Sequence, residues 1–216
     1  ISAAEDFVKV GYPTDAQALL ICELDGTDAE VEEQLALVSE CFKQHGAYHI
    51  RIAKDAIEAA ALWQGRKAAF PAVGRISPDY YCMDGTIPRS QVGHVLTRIS
   101  ELSEFYGLRV ANVFHAGDGN LHPLILFDAS IDGELEQAEL LGGDILTLCV
   151  DVGGTITGEH GVGLEKMPQM PYQFADAELA QFRRLKAAFD SEELLNPGKA
   201  IPTLKYCQEY RSLQHG

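Results

Sequence analysis

The chain has 216 residues, of which 46% are hydrophobic, enough to form the core of one large domain or two small ones. With 17 basic and 32 acidic residues the net charge is −15. A field of this sign repels phosphate groups, which disfavours nucleic acid and anionic membranes as partners. No apolar run approaches the roughly 20 residues that a membrane helix needs.

The five cysteines are scattered and form no CxxC pair, which predicts free thiols in a reducing, cytoplasmic compartment. The first residues, from Ile1 to Asp6, lack the basic and apolar regions of a signal peptide. They also lack an initiator Met. We therefore expect the chain to be a processed or excised piece of a longer protein.

The first half of the chain predicts alternating strands and helices. Apolar runs at residues 18–24 and 48–53 are typical of buried strands. A capping box at Thr27 to Glu30 predicts the start of a helix, and Gly46 stands where that helix would end. A second helix is predicted over residues 55–70. The predicted order is therefore β-α-β-α.

The second half predicts a loop over residues 71–79 and then the order β-α-β-β-α, which is most of a split β-α-β unit. These five predicted elements span residues 81–87, 90–106, 108–114, 121–127 and 133–150. Two such units side by side predict an α+β fold. The fold would be ferredoxin-like and duplicated, with an antiparallel sheet covered by helices. Residues 176–189 predict a helical C-terminal extension.

The most informative segment is the turn between Val113 and His122, where two histidines flank glycines and an aspartate. A chain reversal here would bring His115 and His122 together, and neutral imidazole is a common nitrogen ligand of divalent metals. Asn120 presents a polar side chain at the same turn. On spacing alone, the alternative is that these are structural or surface histidines beside an ordinary Asp-Gly turn, because the pattern is not one of the specific metal-ligand motifs.

Residues 153–163 contain five glycines, with Glu159 and His160 adjacent among them. The pattern matches neither of the two common phosphate-binding loops. Glu159 would complete a metal site of two histidines and a carboxylate with open positions. His160 would serve as a base, because imidazole titrates near neutral pH. The alternative is a glycine-rich surface loop with an incidental polar pair.

The segment from Trp63 to Phe70 places Arg66 beside aromatic residues at the end of a predicted helix. A guanidinium in such a position can hold a carboxylate with two parallel hydrogen bonds. The alternative is that Arg66 and Lys67 are an ordinary solvated basic pair.

Five segments, taken together, resemble the C-terminal domain of the FAD-linked 2-hydroxy-acid oxidases, flavoproteins of the vanillyl-alcohol-oxidase type. The segments follow one another in order over essentially the whole chain: residues 63–75, 80–89, 113–126, 153–164 and 194–199. The resemblance implies that residues 1–216 form a cap and substrate domain. It also implies that FAD is bound mainly by an N-terminal domain that is absent from this chain.

The resemblance assigns a role to each candidate residue of the two glycine-containing segments. The family's metal ligands match His115, His122 and Glu159, a set that suits zinc, iron or manganese. The family's catalytic base matches His160. The implied reaction is the FAD-dependent oxidation of a small 2-hydroxy acid to a 2-oxo acid.

The same resemblance identifies the substrate contacts. Asn120 matches a residue of the substrate pocket, and Arg66 matches an arginine that holds the substrate carboxylate. Some relatives have Lys where this chain has Cys82, and Thr near the position of Phe70, and these residues help to hold longer dicarboxylates. Their absence favours a small monocarboxylate such as glycolate or D-lactate.

The expected partners are the hydroxy acid, the FAD-binding domain and other oxidase subunits. Attachment at the inner membrane would then be peripheral and made through those subunits. Two other functions stay open on the sequence: a non-catalytic α+β module that binds a metal or ligand, and a subunit that docks partners.

Overall fold

A computed structural model describes residues 1–202 of the chain. The chain divides into two compact units, residues 1–76 and 77–216. Helices and small antiparallel sheets confirm the predicted α+β class. Within residues 1–202, no helix combines the length and the apolar content needed to cross a lipid bilayer.

The first unit is helical in its regular structure, and its helices are α1 (Ser2–Val8), α2 (Asp28–Gln44), α3 (Ala56–Lys67) and α4 (Ala69–Val73). The predicted capping box is confirmed. The Thr27 N–H donates to Glu30 Oε2 over 2.8 Å, and the Glu30 N–H donates to Thr27 Oγ1 over 3.5 Å. Gly46 follows the end of α2 with a φ of 83°, as a glycine at a helix end allows.

Tyr12 joins the start of the first unit to α3. Its hydroxyl accepts a hydrogen bond from the Gly65 N–H over 3.1 Å and donates to the carbonyl oxygen of Leu62. A Cβ atom at Gly65 would lie 2.1 Å from the Tyr12 ring, so glycine is what allows the ring to lie against the helix. Helix α1, which the sequence did not predict, contacts α3 and α4.

The two strands predicted in the first unit are wrong. Residues 18–24 and 48–53 are irregular, and no residue between 1 and 76 belongs to a strand. Leu20 is 61% exposed and Ile52 is 49% exposed, so these apolar runs are not buried. A strand needs a neighbour that pairs with its backbone N–H and C=O groups, and an apolar run alone does not reveal one. The predicted duplication of the ferredoxin-like unit is therefore not confirmed.

The predicted loop over residues 71–79 is also partly wrong, because it overlaps both α4 and the first strand of the second unit. Pro71 lies within the first turn of α4. Proline is tolerated there, because the first N–H groups of a helix have no partner within it.

The second unit contains the predicted order of strands and helices. Its elements are β1 (Asp79–Cys82), β2 (Gly85–Thr86), α5 (Val92–Tyr106), β3 (Arg109–Asn112), β4 (Asn120–Leu121), β5 (Pro123–Phe127), α6 (Glu134–Asp151), α7 (Met170–Gln173) and α8 (Asp176–Phe189). The single strand predicted over residues 81–87 is divided into β1 and β2 by Met83 and Asp84. Helix α8 is the predicted C-terminal helix.

The larger sheet has the order β1-β5-β3, and both pairs are antiparallel. The predicted hairpin is confirmed as the pair of β3 and β5. Strand β5 lies between the two strands that α5 connects, which is the arrangement of a split β-α-β unit. Every residue of β5 is buried. Helices α5 and α6 contact each other, and α6 packs on β1 and β5.

The core of the second unit lies between this sheet and the helices. The side chains that are at most 1% exposed include Val95, Ile99, Ile125, Leu141, Ile145, Leu146, Cys149 and Leu179. The four described cysteines are free thiols, as predicted. Among them only Cys149 is buried, and this burial raises its pKa to about 12.

Gly119 provides a test of the backbone contacts beside β4. Its φ is +72°, and an added Cβ atom would lie 2.1 Å from the carbonyl oxygen of Ile87. We expect Gly119→Ala to lower the free energy of unfolding by about 2–4 kcal/mol, because a left-handed conformation and a backbone clash act together. Equilibrium denaturation in urea measures this loss.

Gly133 is the matched control, because its φ is +86° but no atom lies within 4 Å of an added Cβ. Gly133→Ala should lower the free energy of unfolding by only about 1 kcal/mol. Equal losses in the two variants would contradict the close contact at Gly119.

Candidate functional site

A small second sheet brings distant segments of the second unit together. Strand β2 pairs with β4, with Thr86 opposite Asn120. Isolated bridges add Thr155 beside Thr86 and His115 beside Asn120. The Thr86 N–H donates to the Thr155 carbonyl over 3.0 Å, and the His115 N–H donates to the Asn120 carbonyl over 3.0 Å. The glycine-rich segment therefore lies alongside the histidine-containing turn.

Two glycines allow the glycine-rich segment to lie against β2. A Cβ atom at Gly154 would be 1.9 Å from the carbonyl oxygen of Thr86. A Cβ atom at Gly158 would be 2.5 Å from Thr86 Oγ1 and 2.6 Å from Asn120 Oδ1. Neither glycine has a positive φ, so it is the close approach that excludes a side chain at these positions.

The predicted histidines and the predicted glutamate meet at one place. His122 Nε2 lies 2.8 Å from Glu159 Oε1. The His160 ring stacks on the His122 ring, with centroids 5.0 Å apart and planes 9° apart, and its Nε2 is 3.6 Å from Glu159 Oε1. The His115 ring is edge-on to His122, with centroids 5.7 Å apart. The structure thus brings together four residues that the sequence singled out in two separate segments.

Asp84, which the sequence analysis missed, belongs to the same cluster. One ligand atom from each of Asp84, His122, Glu159 and His160 lies within 4.8 Å of the others, close enough for these residues to hold a metal ion. Asp84 Oδ1 is 3.6 Å from His122 Nε2. His115 is beside this group of four and is not a member of it.

Asp84 forms a buried ion pair with Lys166. The Asp84 residue has no exposed surface and Lys166 is 2% exposed, and 2.9 Å separates Lys166 Nζ from Asp84 Oδ2. Burial raises the pKa of Asp84, but hydrogen bonds from Lys166 Nζ and the His160 backbone N–H outweigh it and hold the pKa well below its usual range. Asp84 is therefore ionised at neutral pH and balances the charge of Lys166.

His122 is 3% exposed. Burial lowers its pKa, and the negative charge of Glu159 opposes part of that effect. The imidazole is therefore mainly neutral at pH 7, which is the form whose ring nitrogen can bind a metal ion.

A cavity of about 360 Å³ opens beside the cluster. Its lining residues are Thr86, His115, Asp118, Asn120, Gly158 and Glu159. Within residues 1–202, Thr86 Oγ1 and Asn120 Oδ1 are buried and have no hydrogen-bond partner. An unsatisfied buried polar atom typically costs about 1–3 kcal/mol, so a polar ligand that bonds to these atoms would be stabilised in the cavity.

Five of the six predicted site residues lie in the second unit. The sixth, Arg66, is half buried in the last turn of α3, in the first unit. Asp84, Thr86 and Lys166 were not predicted from the sequence. An acidic residue within a predicted apolar strand was a usable signal for Asp84, because a buried carboxylate needs a charged or hydrogen-bonding partner. No local pattern marked Lys166.

Comparison with known proteins places this chain in a family. Residues 1–200 match the family described as FAD linked oxidases, C-terminal domain. The chain is 58% identical over 218 residues to the glycolate oxidase subunit GlcD of Escherichia coli (strain K12), which covers 100% of the chain and 44% of that relative. It is 36% identical over 195 residues to the glycolate oxidase subunit GlcD of Bacillus subtilis (strain 168), covering 90% of the chain and 42% of the relative.

A third relative is the mitochondrial D-lactate dehydrogenase [cytochrome] of Arabidopsis thaliana, which is 31% identical over 191 residues, covering 88% of the chain and 34% of the relative. The chain therefore spans less than half the length of each of these relatives. The match over residues 1–200 and the identity to GlcD agree with the resemblance found in the sequence. The chain belongs to the family of FAD-linked oxidase C-terminal domains.

Proposed function

We propose that this chain is the catalytic cap domain of a longer FAD-dependent 2-hydroxy-acid dehydrogenase or oxidase that converts glycolate or D-lactate to the 2-oxo acid. The observation that carries the proposal is the meeting of His122, Glu159 and His160 beside a polar cavity. The relatives named as glycolate oxidase subunits and D-lactate dehydrogenase support this substrate class. FAD would be held mainly by a domain outside this chain.

The metal ligands that we propose are His115, His122 and Glu159; His122 and Glu159 belong to the group of converging ligand atoms, and the His115 ring is edge-on to His122. Two imidazoles and a carboxylate suit zinc, iron or manganese. The 2.8 Å between His122 Nε2 and Glu159 Oε1 is compatible with both atoms binding one ion, and the Glu159 side chain is 49% exposed and lines the cavity. When bound, the metal would supply Lewis acidity that lowers the pKa of the substrate hydroxyl.

The substrate would be held by its carboxylate and its hydroxyl. Arg66 is the proposed carboxylate ligand, because a guanidinium offers two parallel donors. Asn120 is the second proposed substrate contact, because its Oδ1 is buried beside the cavity and has no hydrogen-bond partner within the described residues. The family resemblance implies Lys at the position of Cys82 and Thr near that of Phe70 in enzymes for longer dicarboxylates, so we propose a small monocarboxylate.

His160 is the proposed base. Its side chain is 48% exposed, so a proton taken from the substrate hydroxyl can pass on to solvent. FAD, when bound, supplies the acceptor for the hydride that leaves the substrate Cα. The substrate thus loses one proton and one hydride and becomes the 2-oxo acid.

The proposed partners are the FAD-binding domain and other oxidase subunits, since two of the relatives are named as subunits. We propose a cytoplasmic location, with any contact to the inner membrane made through those subunits. Size-exclusion chromatography of the full-length protein with each candidate subunit tests this arrangement, and independent elution of every pair would contradict it.

Substitutions in the full-length protein distinguish the residues that bind the metal from the residue that acts as the base. We expect His115→Ala, His122→Ala and Glu159→Gln each to weaken Mn²⁺ binding by more than about 100-fold. Replacing a residue that only hydrogen-bonds to a metal ligand often weakens binding about 10-fold or more, and loss of the ligand itself should cost more. His160→Ala should weaken it by less than about 10-fold. Electron paramagnetic resonance of free Mn²⁺ measures each dissociation constant.

His94→Ala is the control, because His94 is exposed on α5 and outside the cluster. It should leave Mn²⁺ binding unchanged. A larger loss in His160→Ala than in His115→Ala would make His160 the third ligand and would contradict both assigned roles.

The base is tested by the rate at which substrate reduces the bound flavin. We expect His160→Ala to lower this rate by about 10²–10⁴-fold, the usual contribution of a positioned general base. Anaerobic stopped-flow absorbance with glycolate or D-lactate measures it, with His94→Ala as the control. An unchanged rate would exclude His160 as the base. Metal binding without flavin reduction in the unsubstituted protein would favour a non-catalytic binding module.

A further inference from the structure

Two carboxylates approach the same imidazole, and their surroundings differ. Glu159 Oε1 lies 2.8 Å from His122 Nε2, and the Glu159 side chain is 49% exposed. Asp84 Oδ1 lies 3.6 Å from the same nitrogen, and the Asp84 side chain is completely buried. Glu159 can therefore meet a ligand that enters from the cavity, whereas Asp84 lies behind the site.

The Asp84 carboxylate accepts hydrogen bonds from three consecutive backbone N–H groups of the glycine-rich segment. The N–H groups of Gly158 and His160 donate to Asp84 Oδ2 over 3.1 Å and 2.9 Å. The Glu159 N–H donates to Asp84 Oδ1 over 3.1 Å. Successive N–H groups that converge on one anion fix the local backbone. The backbone positions of Glu159 and His160 are thereby tied to Asp84.

Lys166 is hydrogen-bonded both to Asp84 and to the glycine-rich segment. Its Nζ donates to Asp84 Oδ2 over 2.9 Å and to Thr157 Oγ1 over 3.2 Å. The Thr157 hydroxyl in turn donates to Asp84 Oδ2 over 2.9 Å. The Lys166 N–H donates to the Val162 carbonyl over 3.1 Å, so the residue is attached to the segment as well as to Asp84.

We infer that Asp84 and Lys166 form a positioning anchor, which holds the backbone of Glu159 and His160 so that the carboxylate reaches His122 and the imidazole stacks on it. The inference rests on the proposed function, because it assigns Glu159 to the metal and His160 to the proton. Residues that orient metal ligands from behind commonly change metal affinity by about 10–100-fold when they are replaced.

The test replaces both charges at once in the full-length protein. Asp84→Asn with Lys166→Met keeps similar side-chain volumes and leaves no unpaired buried charge. The Asp84→Asn change also places an amide N–H₂ group, which cannot accept a hydrogen bond, next to backbone N–H donors. We expect the Mn²⁺ dissociation constant to rise by about 10–100-fold. In the metal-free protein, amide hydrogen exchange at residues 158–160 should become faster.

A second Asp–Lys pair in the same unit provides the control, with Asp190 buried and the Lys186 side chain 28% exposed. Lys186 Nζ lies 2.6 Å from Asp190 Oδ2, and Asp190 also accepts hydrogen bonds from the backbone N–H groups of Leu194 and Leu195. Asp190→Asn with Lys186→Met removes a comparable charge pair that is outside the candidate metal cluster. It should leave the Mn²⁺ dissociation constant unchanged, even if the protein becomes less stable.

The outcomes separate the inference from the proposed function. A Mn²⁺ dissociation constant within twofold of the unsubstituted protein, in a folded Asp84→Asn, Lys166→Met variant, overturns the anchor and leaves the metal site standing. Absence of Mn²⁺, Zn²⁺ and Fe²⁺ binding by the unsubstituted protein overturns the metal site, and the inference falls with it.

If the double variant does not fold, Thr157 provides the test. Thr157→Val removes one hydrogen bond to Asp84 and keeps the shape of the side chain, whereas Thr157→Ser keeps the hydroxyl. We expect Thr157→Val to raise the Mn²⁺ dissociation constant by about 3–10-fold and Thr157→Ser to restore it. Equal dissociation constants in the two variants would overturn the anchor.

Discussion

The geometry of the candidate site depends on a carboxylate that has no contact with solvent. Asp84 can remain ionised there because Lys166 balances its charge and backbone N–H groups bond to its oxygens. Without these partners, the buried charge of Asp84 would strongly destabilise the folded chain. The surrounding chain is therefore held in the one arrangement in which these partners reach the carboxylate. That arrangement places Glu159 and His160 next to His122, which comes from a different segment.

The core of the second unit determines where this carboxylate lies. Asp84 lies between β1 and β2, and β1 is paired along its length with the fully buried strand β5. Helix α6 packs on the same sheet, and its last turn carries the buried Cys149, whose carbonyl accepts a hydrogen bond from the Gly154 N–H over 2.8 Å. Apolar packing therefore fixes the positions of β1 and of the last turn of α6, and the polar site forms between them.

The chemistry that we propose divides the cluster between different tasks. Glu159 and His160 are each about half exposed, so they can meet a substrate, whereas His122 and Asp84 are buried behind them. The unsatisfied oxygens of Thr86 and Asn120 beside the cavity are consistent with a small polar ligand. The chain spans less than half the length of the three relatives named above.

The sequence by itself determined α2, α5, α6 and α8, because helical spacing and the caps depend on residues only a few positions apart. It also indicated the family and four of the clustered residues, since the motifs that carry them are continuous. Only the tertiary structure showed that the apolar runs at residues 18–24 and 48–53 are not strands, because a strand exists only where another chain segment pairs with it. It alone also identified Asp84 as the centre of the site: the partners of that carboxylate lie between 73 and 82 residues away along the chain, a distance that no local pattern reports.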